Sequence, residues 1–232
     1  ERVQKKYKEY PRSFLASQVI QNVSNYAPIF IIPLYLGTTA DVGLLSNAFL
    51  VLDLPIRLLG AGISNVYFQK SASLWPDKKS EIQRKTLKLF YGLLTLAVLI
   101  TLPLRLFGEE IYAFVFGDEW GTAGVIAGIV SLFYFLRYIG MPLSNLYLVT
   151  RNEKLSLIYH IVILIVRCAA LAFAIYWEMD FIQAMILFTY FNLGSYFFYT
   201  FHAMRLVGVR LFLPVIITLA ALALVWWLGI LG

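Results

Sequence analysis

The chain has 232 residues, of which 60% are hydrophobic and 14% charged, and its formal net charge is +6 at pH 7. A soluble domain carries about 25% charged and about 45–50% apolar residues, so this composition excludes an ordinary soluble protein and favours one that spans a membrane. A positive net charge would favour a nucleic-acid partner in a soluble protein. Here the basic residues lie between long apolar runs, and we expect no nucleic-acid partner.

Seven apolar runs follow one another along the chain, each close to the roughly 20 residues that a helix needs to cross a bilayer. They are longer than the strands of a membrane barrel and lack strict alternation, so we predict helices. The predicted spans cover residues 13–36, 41–70, 86–107, 121–149, 154–177, 181–206 and 211–231. The predicted fold class is therefore all-α, a polytopic membrane helix bundle.

The polarity of these runs divides the chain into three parts. Residues 1–12 are basic and are predicted to form a cytoplasmic leader, and residues 13–207 a lobe of six spans. Residues 208–232 contain an apolar run with almost no polar face. We expect this last run to be an additional span at the periphery of the six-span lobe, where lipid surrounds it.

Charge alternates in sign from one connection to the next. Fifteen of the 19 basic residues lie before the first predicted span or at the second, fourth and sixth connections, and the other connections are acidic. Basic loops usually face the cytoplasm, so the N-terminus is predicted to be cytoplasmic. Residues 76–83 are predicted to form a polar cytoplasmic loop, and residues 107–120 a short amphipathic segment at the outer interface.

The first predicted span carries a run of amide side chains. Gln18, Gln21, Asn22 and Asn25 are spaced so that a helix places all four on one face. Hydrogen-bonding groups that faced lipid would stay unsatisfied, so this face must meet water or other helices. The pattern predicts a water-filled cavity, and hydrogen bonding between helices is the alternative.

Four charged residues fall near the middle of predicted spans, at Asp53, Arg57, Arg137 and Arg167. A charge at that depth costs about 2.5–3.5 kcal/mol on insertion scales, so each one must be paired or hydrated. Asp53 and Arg57 lie four residues apart on one helical face, and we expect them to form an ion pair. Two arginines are then left without a carboxylate.

The surplus of arginine indicates the charge of the ligand. Arginine donates paired hydrogen bonds to phosphate, and these bonds are strong where the dielectric constant is low. Arg57, Arg137 and Arg167, together with Asp53, are therefore candidate residues of a binding site for a phosphate-bearing anion. The alternative is that each arginine ties helices together or donates to backbone carbonyls.

Helix breakers and small residues lie in the same spans. Pro55 lies between Asp53 and Arg57, and proline frees a backbone carbonyl and kinks a helix. The kink is therefore predicted to coincide with the charged face, as in carriers that bind substrate at the middle of the membrane. Gly124 and Gly128 form a small-residue pair that predicts close helix packing at the start of the fourth span.

Three stretches of the chain share a pattern with one family of transporters. Residues 43–75, GLLSNAFLVLDLPIRLLGAGISNVYFQKSASLW, combine a mid-span proline with small residues and a terminal Phe-Gln-Lys segment. Residues 107–124, FGEEIYAFVFGDEWGTAG, end in Phe-Gly-x-x-Trp-x-x-Ala-Gly, and residues 140–157 read GMPLSNLYLVTRNEKLSL. Their order over roughly residues 10–206 resembles the polysaccharide-biosynthesis (O-antigen, lipid-linked oligosaccharide) flippases of the multidrug/oligosaccharidyl-lipid/polysaccharide exporter superfamily.

This resemblance implies a function and a set of partners. The chain would be the C-terminal lobe of a flippase in the bacterial inner membrane, a fragment that needs an N-terminal lobe as partner. It would translocate a polyprenyl-diphosphate-linked oligosaccharide, as in lipopolysaccharide synthesis, by alternating access driven by a coupling ion. Gln18, Asn22 and Asn25 would contact the glycan, and membrane lipids would surround the helices. No cofactor, metal or ATP site and no enzymatic activity are expected.

Two other functions remain open from the sequence. A multidrug or metabolite antiporter of the same superfamily would carry a cationic substrate, which predicts an acidic cavity rather than a basic one. A membrane glycan polymerase or ligase would carry a long outer loop with catalytic groups. The longest outer connection has only about a dozen residues, so the flippase is the preferred interpretation.

Overall fold

The computed structural model describes residues 9–35 and 38–231, without the side chains of residues 9–16, 18, 33, 34, 59, 61, 230 and 231. Within these ranges the chain consists of helices and short turns and contains no strand. The α-helices are α1 (Glu9–Tyr35), α2 (Thr39–Pro55), α3 (Ala61–Leu74), α4 (Lys79–Phe116), α5 (Gly121–Leu143), α6 (Asn145–Val149), α7 (Glu153–Tyr176), α8 (Phe181–Leu206) and α9 (Phe212–Leu231). A π-helical turn (Ile56–Gly60) joins α2 to α3, and a 3₁₀ turn (Asp118–Trp120) precedes α5.

Six segments of the described chain are long and apolar enough to cross a membrane. They are Thr39–Leu58, Lys79–Phe116, Asp118–Val149, Glu153–Tyr176, Phe181–Leu206 and Phe212–Gly229. The prediction of a polytopic all-α membrane bundle is confirmed. The first predicted span corresponds to α1, whose described apolar segment, Val19–Ile32, is shorter than the other six. Amide side chains interrupt the hydrophobicity of this helix.

The second predicted span changes helix type at its midpoint. Thr38 and Asp41 begin α2 with a capping box, in which the Asp41 carboxylate accepts from the Thr38 backbone N–H at 2.7 Å. Pro55 ends α2, and the next five residues form the π-helical turn before α3 continues. Proline cannot donate a backbone hydrogen bond, and a π-turn relieves its clash with the preceding turn. The predicted break beside the charged face is therefore present.

Helix α4 begins earlier than predicted. Residues 76–83 were expected to be a loop, but α4 starts at Lys79, so that prediction is wrong for its second half. Two contacts support the longer helix: Glu81 pairs with Lys85 four residues further on, and Gln83 Nε2 donates to the carbonyls of Val207 and Gly208 at 3.1 Å. The polar first turns of α4 are thereby docked on the connection between α8 and α9.

The C-terminal end of α4 contains the segment predicted to be amphipathic. A break at Phe107 (φ −133°, ψ 28°) separates residues 108–116 from the rest of the helix. Phe114 and Val115 in this segment are exposed, as expected for side chains that contact the lipid interface. The location of residues 107–120 at the outer face of the membrane stays a prediction.

Helix α5 is the centre of the bundle, since most of its 23 residues are buried. Its most extensive neighbour is α4, and α8 and α2 cover two other faces. A Cβ atom at Gly124 would overlap the Gly108 carbonyl, and one at Gly128 would lie 2.9 Å from the Leu104 carbonyl. The close packing predicted for this glycine pair is therefore confirmed.

The remaining helices leave a space on the other side of α5. Helix α1 packs along α7 and touches α2, and α7 packs on α8. These contacts close a ring of helices around a gap bounded by α1, α2, α5, α7 and α8. Helix α9 packs chiefly on α4, away from this gap, and Trp226 Nε1 donates to the Tyr190 hydroxyl on α8 at 2.7 Å.

A cationic cavity between five helices

A cavity of about 450 Å³ fills the gap inside the ring of helices. Its polar lining comes from α1, α2, the π-helical turn, α5 and α7: Gln21, Asn22, Asn25, Ser46, Asp53, Arg57, Tyr134, Arg137 and Arg167. Six of the seven residues predicted from sequence as a binding site therefore share one space. The seventh is Gln18, whose side chain lies outside the described part of the structure.

Asp53 and Arg137 form the ion pair of the cavity. Arg137 Nη1 lies 2.7 Å from Asp53 Oδ1, and the Tyr134 hydroxyl donates to the same oxygen at 2.9 Å. The Arg137 guanidinium lies over the Tyr134 ring, 4.7 Å from its centroid. Both charged side chains are largely buried, with 11% of Arg137 and 23% of Asp53 exposed. The pair joins α2 to α5 across the wall of the cavity.

The expected pairing of Asp53 with Arg57 is wrong. Arg57 lies in the π-helical turn, where the spacing of side chains around the axis differs from that of an α-helix. Its side chain lines the cavity and is exposed there, so the surrounding helices do not bury the guanidinium. Arg137 is buried and would be far more costly to leave unpaired, which favours the pair that forms. Within the described residues Arg57 has no ion-pair partner.

Arg167 is buried among neutral groups, with 2% of its surface exposed. Nε donates to Asn192 Oδ1 at 2.6 Å, and Nη1 donates to Ser24 Oγ and Asn25 Oδ1, each at 2.9 Å. Nη2 donates to the Tyr196 hydroxyl at 3.4 Å. These contacts tie α7 to α1 and α8, as the interhelical alternative predicts. They use four of the five N–H groups of the guanidinium and leave its positive charge without a carboxylate.

The charges of the cavity do not cancel. Three arginines and one aspartate line it, which is a formal surplus of two positive charges. The wall is otherwise formed by aromatic and aliphatic side chains such as Phe49, Phe133 and Phe188. Charges act more strongly in such surroundings than in water, and walls of low dielectric constant focus the field of like charges on the space between them.

Some residues of the site were missed from sequence. Ser24 contacts Arg167 but is a single small hydroxyl one position from the amide stripe, and no pattern singles it out. Tyr134 could have been predicted, because it lies three residues before Arg137 and therefore on the same face of the helix. Asn192 and Tyr196, by contrast, lie on a polar face of α8 that is visible in the sequence, and that pattern favours helix packing and a cavity equally.

The fold and this cavity define a class: a multi-pass α-helical membrane protein with a cationic cavity lined by its helices. The family described as polysaccharide biosynthesis protein matches residues 2–124, more than half of the chain. The chain belongs to this family, and the resemblance predicted from sequence is confirmed. Neither curated proteins nor solved structures give a significant match.

The family match covers one side of the cavity. It includes α1 and α2 with Asp53 and Arg57, and two of the three stretches that carry the resemblance, 43–75 and 107–124. The third stretch, 140–157, and the residues Arg137 and Arg167 lie beyond it. Membership therefore connects the chain to polysaccharide biosynthesis, whereas the ligand of the cavity has to be argued from its chemistry.

Proposed function

We propose that the chain translocates a polyprenyl-diphosphate-linked oligosaccharide across the membrane by alternating access. One observation carries the proposal, which is the surplus of two positive charges in a cavity lined by membrane helices. Arg167 is buried and Arg57 is exposed at the cavity, and positive charges that lack a counterion there add no stability to the bundle. A ligand that brings negative charge into the cavity removes this penalty, and a membrane protein of polysaccharide biosynthesis handles such ligands as diphosphate esters.

The three arginines would differ in how they bind a diphosphate. Arg57 has no partner within the described residues and would donate paired hydrogen bonds to phosphate oxygens. Arg167 would act mainly through its charge, because most of its donors are already used. Arg137 would become available when its ion pair with Asp53 opens. Each phosphate of a diphosphate diester carries one ionised oxygen, so the ligand matches the surplus charge.

The amide stripe of α1 would bind the sugar part. Gln21, Asn22 and Asn25 line the same cavity as Asp53 and Arg137, and amide groups both donate and accept hydrogen bonds. Sugar hydroxyls need this dual capacity. The amides thus suit a hydroxyl-rich ligand that is joined to an anionic group. Gln18 would extend the stripe, and its role stays a prediction.

Other parts of the proposal concern the setting of the protein. We propose the bacterial inner membrane with a cytoplasmic N-terminus, because basic residues concentrate on one set of connections. A second lobe of the flippase would cover the cavity from the other side, and a coupling ion would supply the energy. Residues 1–12, 13–207 and 208–232 would act as leader, lobe and peripheral span.

A cationic drug or metabolite is a poorer ligand for this cavity. Asp53 is the only carboxylate among the described residues that line the cavity, and it already pairs with Arg137. A cationic substrate would therefore meet net repulsion. A glycan polymerase or ligase is tested directly by incubating the purified protein with labelled lipid-linked sugar, and formation of a longer glycan would replace the flippase proposal.

The proposal is tested by substitution of the cavity arginines in cells that make the polysaccharide. Arg57→Gln and Arg137→Gln should each lower polysaccharide export at least tenfold at unchanged protein level, since a lost charge-assisted hydrogen bond costs about 1.5–3 kcal/mol. Arg105→Gln is the matched control, because Arg105 lies in a membrane helix but does not line the cavity. Wild-type export by the Arg57→Gln/Arg137→Gln double variant would rule out the cationic site.

A further inference from the structure

A second concave surface lies outside the bundle, between α3 and the first half of α4. This groove has a volume of about 690 Å³ and opens toward the surroundings of the protein. Its floor and walls are apolar, with Ile63, Val66, Leu89 and Leu96 among them. Three lysines, Lys70, Lys85 and Lys88, lie together at one end.

The two helices hold the groove in a fixed shape. The Tyr67 hydroxyl and Thr86 Oγ1 are 2.6 Å apart and join α3 to α4 beneath the lysines. Thr86 Oγ1 itself donates to the Ile82 carbonyl at 2.8 Å, so Tyr67 supplies the proton of the bond between the helices. Gly62 and Gly92 face each other along the groove, and a Cβ atom at either position would meet open space.

The groove has the length of one membrane leaflet. Its lining on α4 runs from Lys85 to Leu96, which is about 16 Å at a rise of 1.5 Å per residue. Half of the hydrocarbon core of a bilayer is about 15 Å thick. An acyl chain that starts at the lysines would therefore end near the middle of the membrane, where the groove ends.

The lysines supply a charge that an anion would complement. Lys85 Nζ pairs with Glu81 at 3.3 Å, but Lys70 and Lys88 have no acidic partner within the described part of the chain. Their ammonium groups repel one another at the end of an apolar cleft. Basic pockets beside membrane helices on the cytoplasmic side bind the phosphate of anionic lipids, with about 1 kcal/mol for each basic residue near the surface.

We propose that the groove between α3 and α4 is a binding site for an anionic phospholipid of the bilayer, with its phosphate on Lys70 and Lys88 and an acyl chain over Gly62 and Gly92. The polyprenyl lipid of the proposed substrate is a different occupant. The groove and the central cavity approach each other beside the π-helical turn, but only a space of about 20 Å³ lies between them. A lipid chain is too wide for that space, so the occupant of the groove stays outside the cavity.

The test measures lipid retained by the purified full chain in native mass spectrometry, after equal exposure to phosphatidylglycerol and phosphatidylcholine. We expect preferential retention of phosphatidylglycerol. The Lys70→Gln/Lys85→Gln/Lys88→Gln variant should reduce that retention about tenfold or more. The control is the Lys78→Gln/Arg84→Gln/Arg210→Gln variant, which removes three exposed cations that do not line the groove. It should retain as much phosphatidylglycerol as the wild-type chain.

A second pair of variants separates shape from charge. Gly92→Leu fills the groove while all three lysines remain, and it should also abolish the retention of phosphatidylglycerol. Gly194→Leu is the matched control. Gly194 lies on α8, away from the groove, and is an exposed helical glycine at which a Cβ atom would meet open space. Helical circular dichroism of every variant reports whether it is folded, and Gly62→Leu replaces Gly92→Leu if the latter is not.

Three results would overturn the proposal. One is equal retention of phosphatidylglycerol and phosphatidylcholine by the wild-type chain. Another is unchanged retention in Gly92→Leu and Gly62→Leu. The third is displacement of bound phosphatidylglycerol by an equimolar polyprenyl diphosphate even in the Arg57→Gln/Arg137→Gln background, because the groove would then hold the substrate's lipid. Loss of transport in the arginine variants leaves the phospholipid site unaffected, so the two proposals fail separately.

Discussion

Replacement of Arg167 by methionine measures how far this arginine acts as a structural tie. Its guanidinium donates to Ser24 and Asn192, and both acceptors are buried. Arg167→Met leaves the two polar groups without that donor where water has little access. Each polar group without a partner lowers the free energy of unfolding by about 1–3 kcal/mol, so the two together lower it by about 2–6 kcal/mol. Removal of a buried charge offsets part of this loss. We expect a net decrease in the free energy of unfolding of about 2–3 kcal/mol.

The second variant, Asn192→Leu, isolates the origin of that loss. Removing both partners of a buried hydrogen bond is much less costly than removing one. The Arg167→Met/Asn192→Leu double variant should therefore be more stable than Arg167→Met alone, with a coupling energy of about 1–3 kcal/mol. Asn192→Leu alone should be destabilised, because it leaves the Arg167 charge with one partner fewer.

The measurement is reversible unfolding of the purified protein in detergent, followed by helical circular dichroism. Arg105→Met is the control, since Arg105 is a partly buried arginine on α4 that makes no hydrogen bond to Ser24 or Asn192. Wild-type stability of Arg167→Met would refute the reasoning. The reasoning would also be refuted if the double variant lost as much free energy of unfolding as the two single variants together, because the coupling energy would then be zero.

Two further predictions concern helix packing and the ion pair. Gly124→Ala should lower the free energy of unfolding by about 1–3 kcal/mol, because its Cβ atom would overlap the Gly108 carbonyl. Gly43→Ala is the control, since a Cβ atom there meets open space, and it should be neutral or slightly stabilising. Thermal unfolding measures both variants. Asp53→Asn frees Arg137 and makes the cavity more positive, so it should tighten binding of a polyprenyl diphosphate by about fivefold or more in an equilibrium assay. Weaker binding by Asp53→Asn would contradict the assignment of Arg137 to the ligand.

The helices were predictable because hydropathy and charge act locally. Each of the later spans is a long apolar run between polar connections, and the break at Pro55 follows from the chemistry of one residue. The close contact at Gly124 also followed from a short pattern, since two small residues one turn apart allow backbones to approach. The start of α4 did not follow from polarity, because residues 79–83 are polar and yet helical: Glu81 pairs with Lys85 along the helix, and Gln83 donates to the carbonyls of Val207 and Gly208.

The sequence predicted which residues line the cavity, but it did not predict which arginine pairs with Asp53. Buried charges and an amide stripe must turn away from lipid, which predicts that they face the interior of the bundle. The partner of Asp53 depends on how α2 and α5 are placed and on which arginine is the more buried. Sequence spacing favoured Arg57, and the structure gives the carboxylate to Arg137.

The three arginines of the cavity differ in availability, and this order has a consequence for binding. Arg57 is exposed and unpaired within the described chain, so an anion would contact it at the least cost. Arg137 requires the ion pair with Asp53 to open, and Arg167 would have to give up bonds to neutral groups on two other helices. A ligand that engages Arg137 thus changes the contact between α2 and α5, and one that engages Arg167 changes the contacts of α7 with α1 and α8. Because these helices line the cavity, binding of an anion would change the contacts between them, and alternating access requires such a link between the substrate and the helix contacts.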